Sequence, residues 1–269
     1  MMDSSLEIWG QAIPTSTLTK SESVYLSQYA GRIEPIQVTE MWQEINRVWD
    51  TFSLDNCKQL SSQPIGEFYS HPVWILNGLF SGVDTESLKH RRLIAEFAKS
   101  INAHRIADFG GGVGQLGLCI ASRNHEAEVE IIEPFPSLFG RFRISESGNI
   151  AFVAELSGEY DLLVCQDVLE HTEHPVDLAE RIAIAAKDGG FVIFANCFYP
   201  VIKCHLPRTF YLRHTFSWIM EAAGLSYVGS TEGASHIMIF KKDGVDIPAK
   251  VRIRNTIAKI LGTMRNIIG

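Results

Sequence analysis

Two carboxylates, an amide–acid pair and two histidines stand in this chain where residue type and spacing could do chemistry. Asp108 closes the apolar pair Ile106-Ala107 and opens Phe109-Gly110-Gly-Gly112-Val-Gly114. Glycines at 110, 112 and 114 let the main chain approach a ligand where any Cβ would collide. Glu133-Pro134 closes a second apolar run, Glu128 to Ile132, ~20 residues after the glycines, where an acid accepts hydrogen bonds from ribose hydroxyls. Gln166-Asp167 closes a third run, Tyr160 to Cys165, and leads into Val168-Leu-Glu-His171. Imidazoles at His171 and His205 titrate in the range useful for taking a proton from a reacting group.

These residues need elements to hold them. Arg105 to Phe109 reads as a short buried strand that turns through the glycines into a helix, and Glu128 to Ile132 as a second strand. Ile150 to Ala154 and the run from Tyr160 follow as third and fourth strands. A helix from about Val176 to Ala186, a Lys187-Asp-Gly-Gly190 turn and the apolar strand Phe191 to Ala195 come next. Helical Thr215 to Gly224 and strands at Leu225 to Ser230 and His236 to Lys241 close the series. Strand, helix and glycine turn in alternation describe a doubly wound α/β sheet.

The glycines alone leave the ligand open, since Gly112-Val-Gly114-Gln-Leu-Gly117 also satisfies the G-x-G-x-x-G pattern of dinucleotide-binding folds. The wording Asp108-Phe-Gly-Gly-Gly-Val-Gly114, with an acid two residues before the glycines, resembles the first motif of the class I S-adenosylmethionine-dependent methyltransferases. Asp167-Val-Leu-Glu-His171 after an apolar strand resembles their fourth-strand signature, for which the dehydrogenase pattern has no counterpart. The resemblance spans roughly residues 86 to 242. It implies an α/β fold with a doubly wound, mostly parallel seven-stranded sheet, the Rossmann-like methyltransferase fold, and S-adenosyl-L-methionine as cofactor. On this resemblance Asp108, Gly110, Gly112 and Gly114 hold the methionine end, Glu133 and Pro134 the ribose, and Gln166 and Asp167 complete the cofactor contacts. The segment between the third and fourth strands is short for the family and leaves Glu155 as the nearby acid for the adenine amino group.

Methyl transfer from a sulfonium is an in-line displacement that asks mainly for alignment and for a group to take the acceptor's proton. His171 and His205 are the candidate bases. The insert Asn196 to His214 follows the fifth strand, where open sheets build their sites, and its Tyr199, His205, Arg208, Tyr211 and His214 are candidates for reading the acceptor. Arg208 suits a phosphate or carboxylate, and the aromatics suit a ring. The expected acceptor is a small molecule or saccharide methylated on oxygen, with nitrogen as an alternative. A non-catalytic scaffold that keeps the fold is the reading from a different class, and a nicotinamide-dependent oxidoreductase is a third. Asp167, Glu170, His171 and His174 have metal-ligating types, but no independent ligand set accompanies them and no metal is expected.

The 269 residues, 46% of them hydrophobic, supply ample core. Five cysteines without C-x-x-C pairing argue against a disulfide framework or structural zinc. Without a signal pattern or an apolar run of membrane-spanning length, a cytoplasmic location is expected. Residues 1–85 read as an N-terminal extension and helical cap, with Met41 to Phe52 at helical spacing and Asp84 or Thr85 capping a helix over 86 to 102. Residues 86–245 form the cofactor-binding core and 246–269 a basic tail. After Pro248 that tail carries Lys250, Arg252, Arg254, Lys259 and Arg265 and no acid, whereas the whole chain is at −7. Ile253, Ile257, Ile260, Met264 and Ile267 or Ile268 recur there at helical spacing. The stripe packs on the acidic body or lies on the inner face of a membrane. Nucleic acid is not expected, because the body has no basic patch, and the oligomeric state is left open.

Overall fold

The computed structural model describes residues 4–268, with side chains to position 262. Its N-terminal part begins with a hairpin of β1 (Ser5–Ile8) and β2 (Gln11–Pro14). Trp9 and Gly10 form the two-residue turn, both at positive φ, the backbone twist that two-residue hairpins require. Four helices follow: α1 (Lys20–Ser27), α2 (Val38–Thr51), α3 (Ser62–Tyr69) and α4 (Val73–Ser81). Thr19 and Glu22 build a capping box on α1. On α2 the buried residues are Met41, Ile45, Val48 and Trp49, the i, i+4, i+7, i+8 row of an amphipathic helix. These elements share one apolar core, and Val113 of the glycine turn, Phe139 and Cys204 also belong to it.

Asp84 caps α5 (Thr85–Ser100) by accepting from Ser87 N at 2.9 Å, and this helix leads into the sheet. The elements then run β3 (Arg105–Phe109), α6 (Gln115–Ala121), β4 (Glu128–Ile132), α7 (Leu138–Ile144), β5 (Ile150–Val153), β6 (Tyr160–Gln166), α8 (Pro175–Ala185), β7 (Ala186–Ala195), α9 (Phe216–Met220), β8 (Leu225–Thr231), β9 (Ala234–Lys242) and α10 (Pro248–Ile268). The seven-stranded sheet has the order β5-β4-β3-β6-β7-β9-β8, with β9 antiparallel to its neighbours and the first five strands parallel. It is the doubly wound, mostly parallel sheet expected from the sequence. Its strands are buried on both faces: Leu163 and Cys165 of β6 pack with α8 and α10, while Leu162 and Val164 pack with α5 and α6.

The expected Lys187 to Gly190 turn lies inside β7. Ala186 pairs with Tyr160, Gly189 takes a positive φ, and the ladder resumes at Phe191 opposite Leu162. The extra residues form a bulge instead of ending the strand. The strand order reverses between β4-β3 and β6, and the crevice at such a reversal is where this architecture binds ligands. Among the described residues no helix is long and apolar enough to cross a membrane.

Candidate functional site: a cofactor cleft beside a histidine pair

The glycine turn leaves β3 at that crevice. Gly110, Gly112 and Gly114 all have positive φ. A Cβ on Gly110 would lie 2.6 Å from Val168 Cγ2, whereas around Gly112 nothing stands within 4 Å. The turn is therefore closed against the protein on one side and open on the other, as a ligand cradle must be.

Asp108 is buried beneath this cradle rather than standing at its mouth. One carboxylate oxygen accepts from Gly117 N at 2.9 Å, and burial raises the carboxyl to about 7. The side chain thus braces the turn from within. Arg91, on the buried row of α5 with Ile94, Ala95 and Ala98, faces it electrostatically. Sequence reading passed over Arg91, although a cation on the apolar row of a helix is a signal in itself.

Glu133 follows β4 beside the cradle, where Gly110 N donates to Ile132 O at 3.0 Å. Burial raises its carboxyl, and its one recorded partner is Phe135 N at 3.4 Å. Pro134 and the almost fully exposed Phe135 continue this edge. Glu155 is exposed just past β5. On the far wall, Gln166 gives its amide to Asp167 at 3.2 Å, and its Oε1 is buried without a partner. Asp167 holds a positive φ, and its carboxyl is raised by desolvation. An open glycine cradle, a half-buried acid beside it and an unsatisfied acceptor fit a ligand with a nucleoside at one end and an ammonium at the other.

Asn196 fixes the segment after β6. Its Oδ1 accepts from Val168 N at 3.1 Å and Leu169 N at 2.9 Å, and its Nδ2 donates to Cys165 O at 3.3 Å. This holds a 3-10 turn (Leu169–His171) against the first residues of the insert. Glu170 is fully buried there: Oε1 accepts from Cys197 N at 2.6 Å, and Oε2 has no partner. Burial, with Asp167 nearby, raises its carboxyl to about 8.

His171 and His205 meet with ring centroids 4.9 Å apart. His171 Nδ1 lies 3.1 Å from Cys204 O, and His205 Nδ1 3.0 Å from Tyr199 O. A carbonyl only accepts, so each Nδ1 carries the hydrogen and each Nε2 keeps its lone pair. Burial lowers His171 to about 3 and also lowers His205, so both rings are neutral at pH 7. Tyr69 and Trp74 of the cap stand over His171, with centroids 6.2 and 6.3 Å away. The sequence placed these aromatics in the cap without assigning them to the site.

Three acceptor candidates of the insert face elsewhere. Arg208 is ion-paired with Glu173 and donates to the carbonyls of Lys58 and Asn56, the latter at 3.2 Å. Its fork is spent joining the insert to the cap. Tyr211 is buried against α10 and donates to Asn255 Oδ1 at 2.5 Å. Both line a separate cavity of about 610 Å³ between the start of α8, the insert and α10. His214 is exposed at the end of a 3-10 helix (Pro207–His214). These three lie on an irregular segment whose inner face no periodicity marks. Tyr199 is half exposed, with the Arg213 guanidinium 5.1 Å from its ring centre.

The fold and this cleft define a class I S-adenosylmethionine-binding transferase. Residues 85–229, more than half of the chain, match the family described as methyltransferase domain. The chain belongs to that family of S-adenosylmethionine-dependent methyltransferases, and S-adenosyl-L-methionine is its cofactor. A ubiquinone biosynthesis O-methyltransferase from Erwinia tasmaniensis is 25% identical over 164 residues, covering 58% of this chain and 62% of that protein. One of the same description from Bordetella pertussis is 30% identical over 113 residues, 38% of this chain and 46% of the other. The chain thus spans less than two thirds of the length of these relatives. An O-methyltransferase family protein from Burkholderia thailandensis superposes with a TM-score of 0.56 at 14% identity, over 77% of this chain and 71% of that one. A mitomycin 7-O-methyltransferase gives 0.50 at 14% identity, over 84% and 74%. At such identity these two likenesses concern the fold.

Proposed function

We propose that the protein transfers the methyl group of S-adenosylmethionine to a hydroxyl of a small, ring-bearing acceptor. The observation that carries this reading is the pair of neutral imidazoles, each with a free Nε2, beneath the Tyr69–Trp74 wall at the end of β6. An acceptor stacked on that wall presents its hydroxyl to the rings, and the ring that takes the proton leaves the oxygen able to displace the sulfonium. Glu133 holds the ribose, the Gln166 carbonyl takes the methionine ammonium, and Asp108 acts indirectly by bracing the cradle. The names of the relatives, O-methyltransferases of ubiquinone biosynthesis, favour oxygen over nitrogen. With Arg208 and Tyr211 committed elsewhere, a flat ring fits the wall better than a phosphorylated or carboxylated sugar.

The C-terminal helix favours a second element, peripheral contact with an anionic membrane. α10 docks through Val251, Ala258 and Gly262, and Arg254 stacks over Trp218 and pairs with Glu221 at 3.0 Å. Ile253, Ile257, Ile260 and Leu261 stay exposed, with Lys250, Arg252 and Lys259 at the surface. The isoleucine stripe thus faces away from the body, as an interfacial helix requires. Met264, Arg265, Ile267 and Ile268 lie outside the described side chains.

Formation of S-adenosylhomocysteine in the presence of phenols, catechols, sugars and amines tests the reaction. Turnover with hydroxylated rings is expected, lost in His171→Gln or His205→Gln while S-adenosylhomocysteine still binds. Binding without turnover on any acceptor would favour the scaffold reading, and turnover on amines alone would make the enzyme an N-methyltransferase.

A further inference from the structure

We propose that Glu170, His171 and His205 form a binding site for a divalent transition-metal ion. Their ligand-type atoms, one from each residue, all lie within 4.8 Å of one another. Small side-chain shifts bring such a set to the ~2.0–2.2 Å bonds of imidazole and carboxylate ligands.

The hydrogen bonds around the three residues point the same way. Ligating histidines almost always give their other ring hydrogen to a carbonyl or carboxylate, which fixes the tautomer and aims the free nitrogen. His171 does so to Cys204 O and His205 to Tyr199 O. Glu170 uses one oxygen on Cys197 N, while the other is buried and unpartnered. A buried carboxyl oxygen without a partner is costly, and a cation that displaces the carboxyl's proton to solvent satisfies it without another donor. The ligands come from two segments already joined, since Leu206 N donates to Glu170 O at 2.8 Å and Asn196 pins the turn that carries Glu170 and His171. Little ordering remains to be done on binding.

Two imidazoles and one carboxylate leave coordination positions open, the condition for a cation that meets an exogenous oxygen. The site rests on the methyltransferase reading for its role. An acceptor hydroxyl bound to the cation becomes more acidic and loses its proton to water. The oxygen then forms the O–CH3 bond as the sulfonium C–S bond breaks, and S-adenosylhomocysteine departs. With the ion in place the two rings serve as ligands, and the cation takes over the activating task they perform in its absence.

The test uses the full chain, freed of metal by chelation and titrated with Zn2+ and Mn2+ by calorimetry and with Co2+ by visible absorption. One equivalent is expected, with a Co2+ spectrum showing nitrogen ligation. Affinity should fall at least tenfold in Glu170→Gln and His205→Ala, and stay unchanged in His90→Ala, which alters the separate His90–His236 pair. Circular dichroism and S-adenosylhomocysteine binding, retained in every variant, show that fold and cofactor site survive. Equal affinity in wild type and both ligand variants, or no stoichiometric binding, overturns the metal site and leaves the methyltransferase reading standing. Failure to bind S-adenosylhomocysteine would instead overturn that reading alone.

Discussion

The main-chain oxygen of Gly78 accepts from the Gln115 side chain at 2.7 Å, and this bond ties helix α4 of the cap directly to the residue that follows the glycine cradle. The same Gln115 takes a hydrogen bond from Arg143 at 2.9 Å, and a Cβ on Gly78 would fall 2.3 Å from Val113 Cγ2. Gly78→Ala is therefore expected to push the cap off the cradle. Overpacking of this kind costs about 1–3 kcal/mol, and S-adenosylhomocysteine binding should weaken along with the Tm. A variant with wild-type affinity and Tm would show that the cap does not hold the turn.

Glu133 is expected to accept from the cofactor's ribose as a carboxylate. Hydrogen bonds to charged groups are worth about 1.5–3 kcal/mol, so Glu133→Gln should weaken S-adenosylhomocysteine by roughly tenfold to a hundredfold. Calorimetric titration reads this directly, and undiminished affinity would move the ribose elsewhere.

Asn196 makes three buried hydrogen bonds, and Asn196→Ala strands two main-chain N–H groups. Unmet buried donors cost about 1–3 kcal/mol each, so the Tm should drop by several degrees. Turnover should fall more than cofactor affinity, because the displaced turn carries His171 and not the cradle. Equal losses in both would mean that the whole cleft collapses.

Two buried groups give opposite pH slopes. Burial lowers His171 to about 3, so between there and its ordinary value near 6.5 the unfolded chain binds a proton that the folded chain refuses. This group's contribution is complete above pH 6.5 and is lost as the pH falls below it, and His171→Gln should remove that acid-side loss. Asp108 is raised to about 7, so the folded chain holds the extra proton between about 4 and 7. Its contribution declines as pH rises through that window, and Asp108→Asn should gain on the wild type over the same range. Urea titrations at pH 5, 6, 7 and 8 compare the slopes, and parallel curves for wild type and both variants would refute the assignment.

The exposed row on α10 should carry the protein onto vesicles containing anionic lipid. Ile253→Glu with Ile260→Glu is expected to abolish flotation without changing the Tm, since neither side chain is buried. High salt should weaken the wild-type interaction by screening Lys250, Arg252 and Lys259. Flotation unaffected by the double substitution would leave the helix as packing alone.

The cofactor side of the cleft was legible in the sequence because its chemistry is local. Glycines, Asp108 and Glu133 lie at strand ends, where chain order and space agree, and the sheet followed from alternation. Asp108 was read as holding the methionine end, and the structure shows its carboxylate turned inward onto Gly117 N, since a residue at a strand's end can turn into the turn or out of it. The β1–β2 hairpin escaped notice because four-residue strands give too few alternations to register, although Trp9-Gly10 marked the turn. On the acceptor side, Arg208 and Tyr211 were drawn to a ligand by type, yet the 3-10 segment that carries them faces Glu173 and Asn255. The metal-ligating group stayed hidden for a related reason. His205 is far along the chain from Glu170 and His171, and only the packing of the insert supplies the third ligand that the sequence reading found wanting.

The stitching of cap to insert bears on how such an enzyme changes its acceptor. Lys203 pairs with Asp50 at 2.6 Å and takes Asn46 at 2.7 Å through its main-chain N–H. Asn56 donates back to Lys203 O at 2.8 Å, and Arg208 closes on the carbonyls of Asn56 and Lys58. Residues 46–58 and 203–208 therefore form one structural unit, although more than a hundred residues of the chain separate them. Replacing the insert without its matching cap segment would leave unpaired ends on both sides of the pocket, so a change of acceptor calls for exchanging both segments together or for point changes on the Tyr69–Trp74 wall.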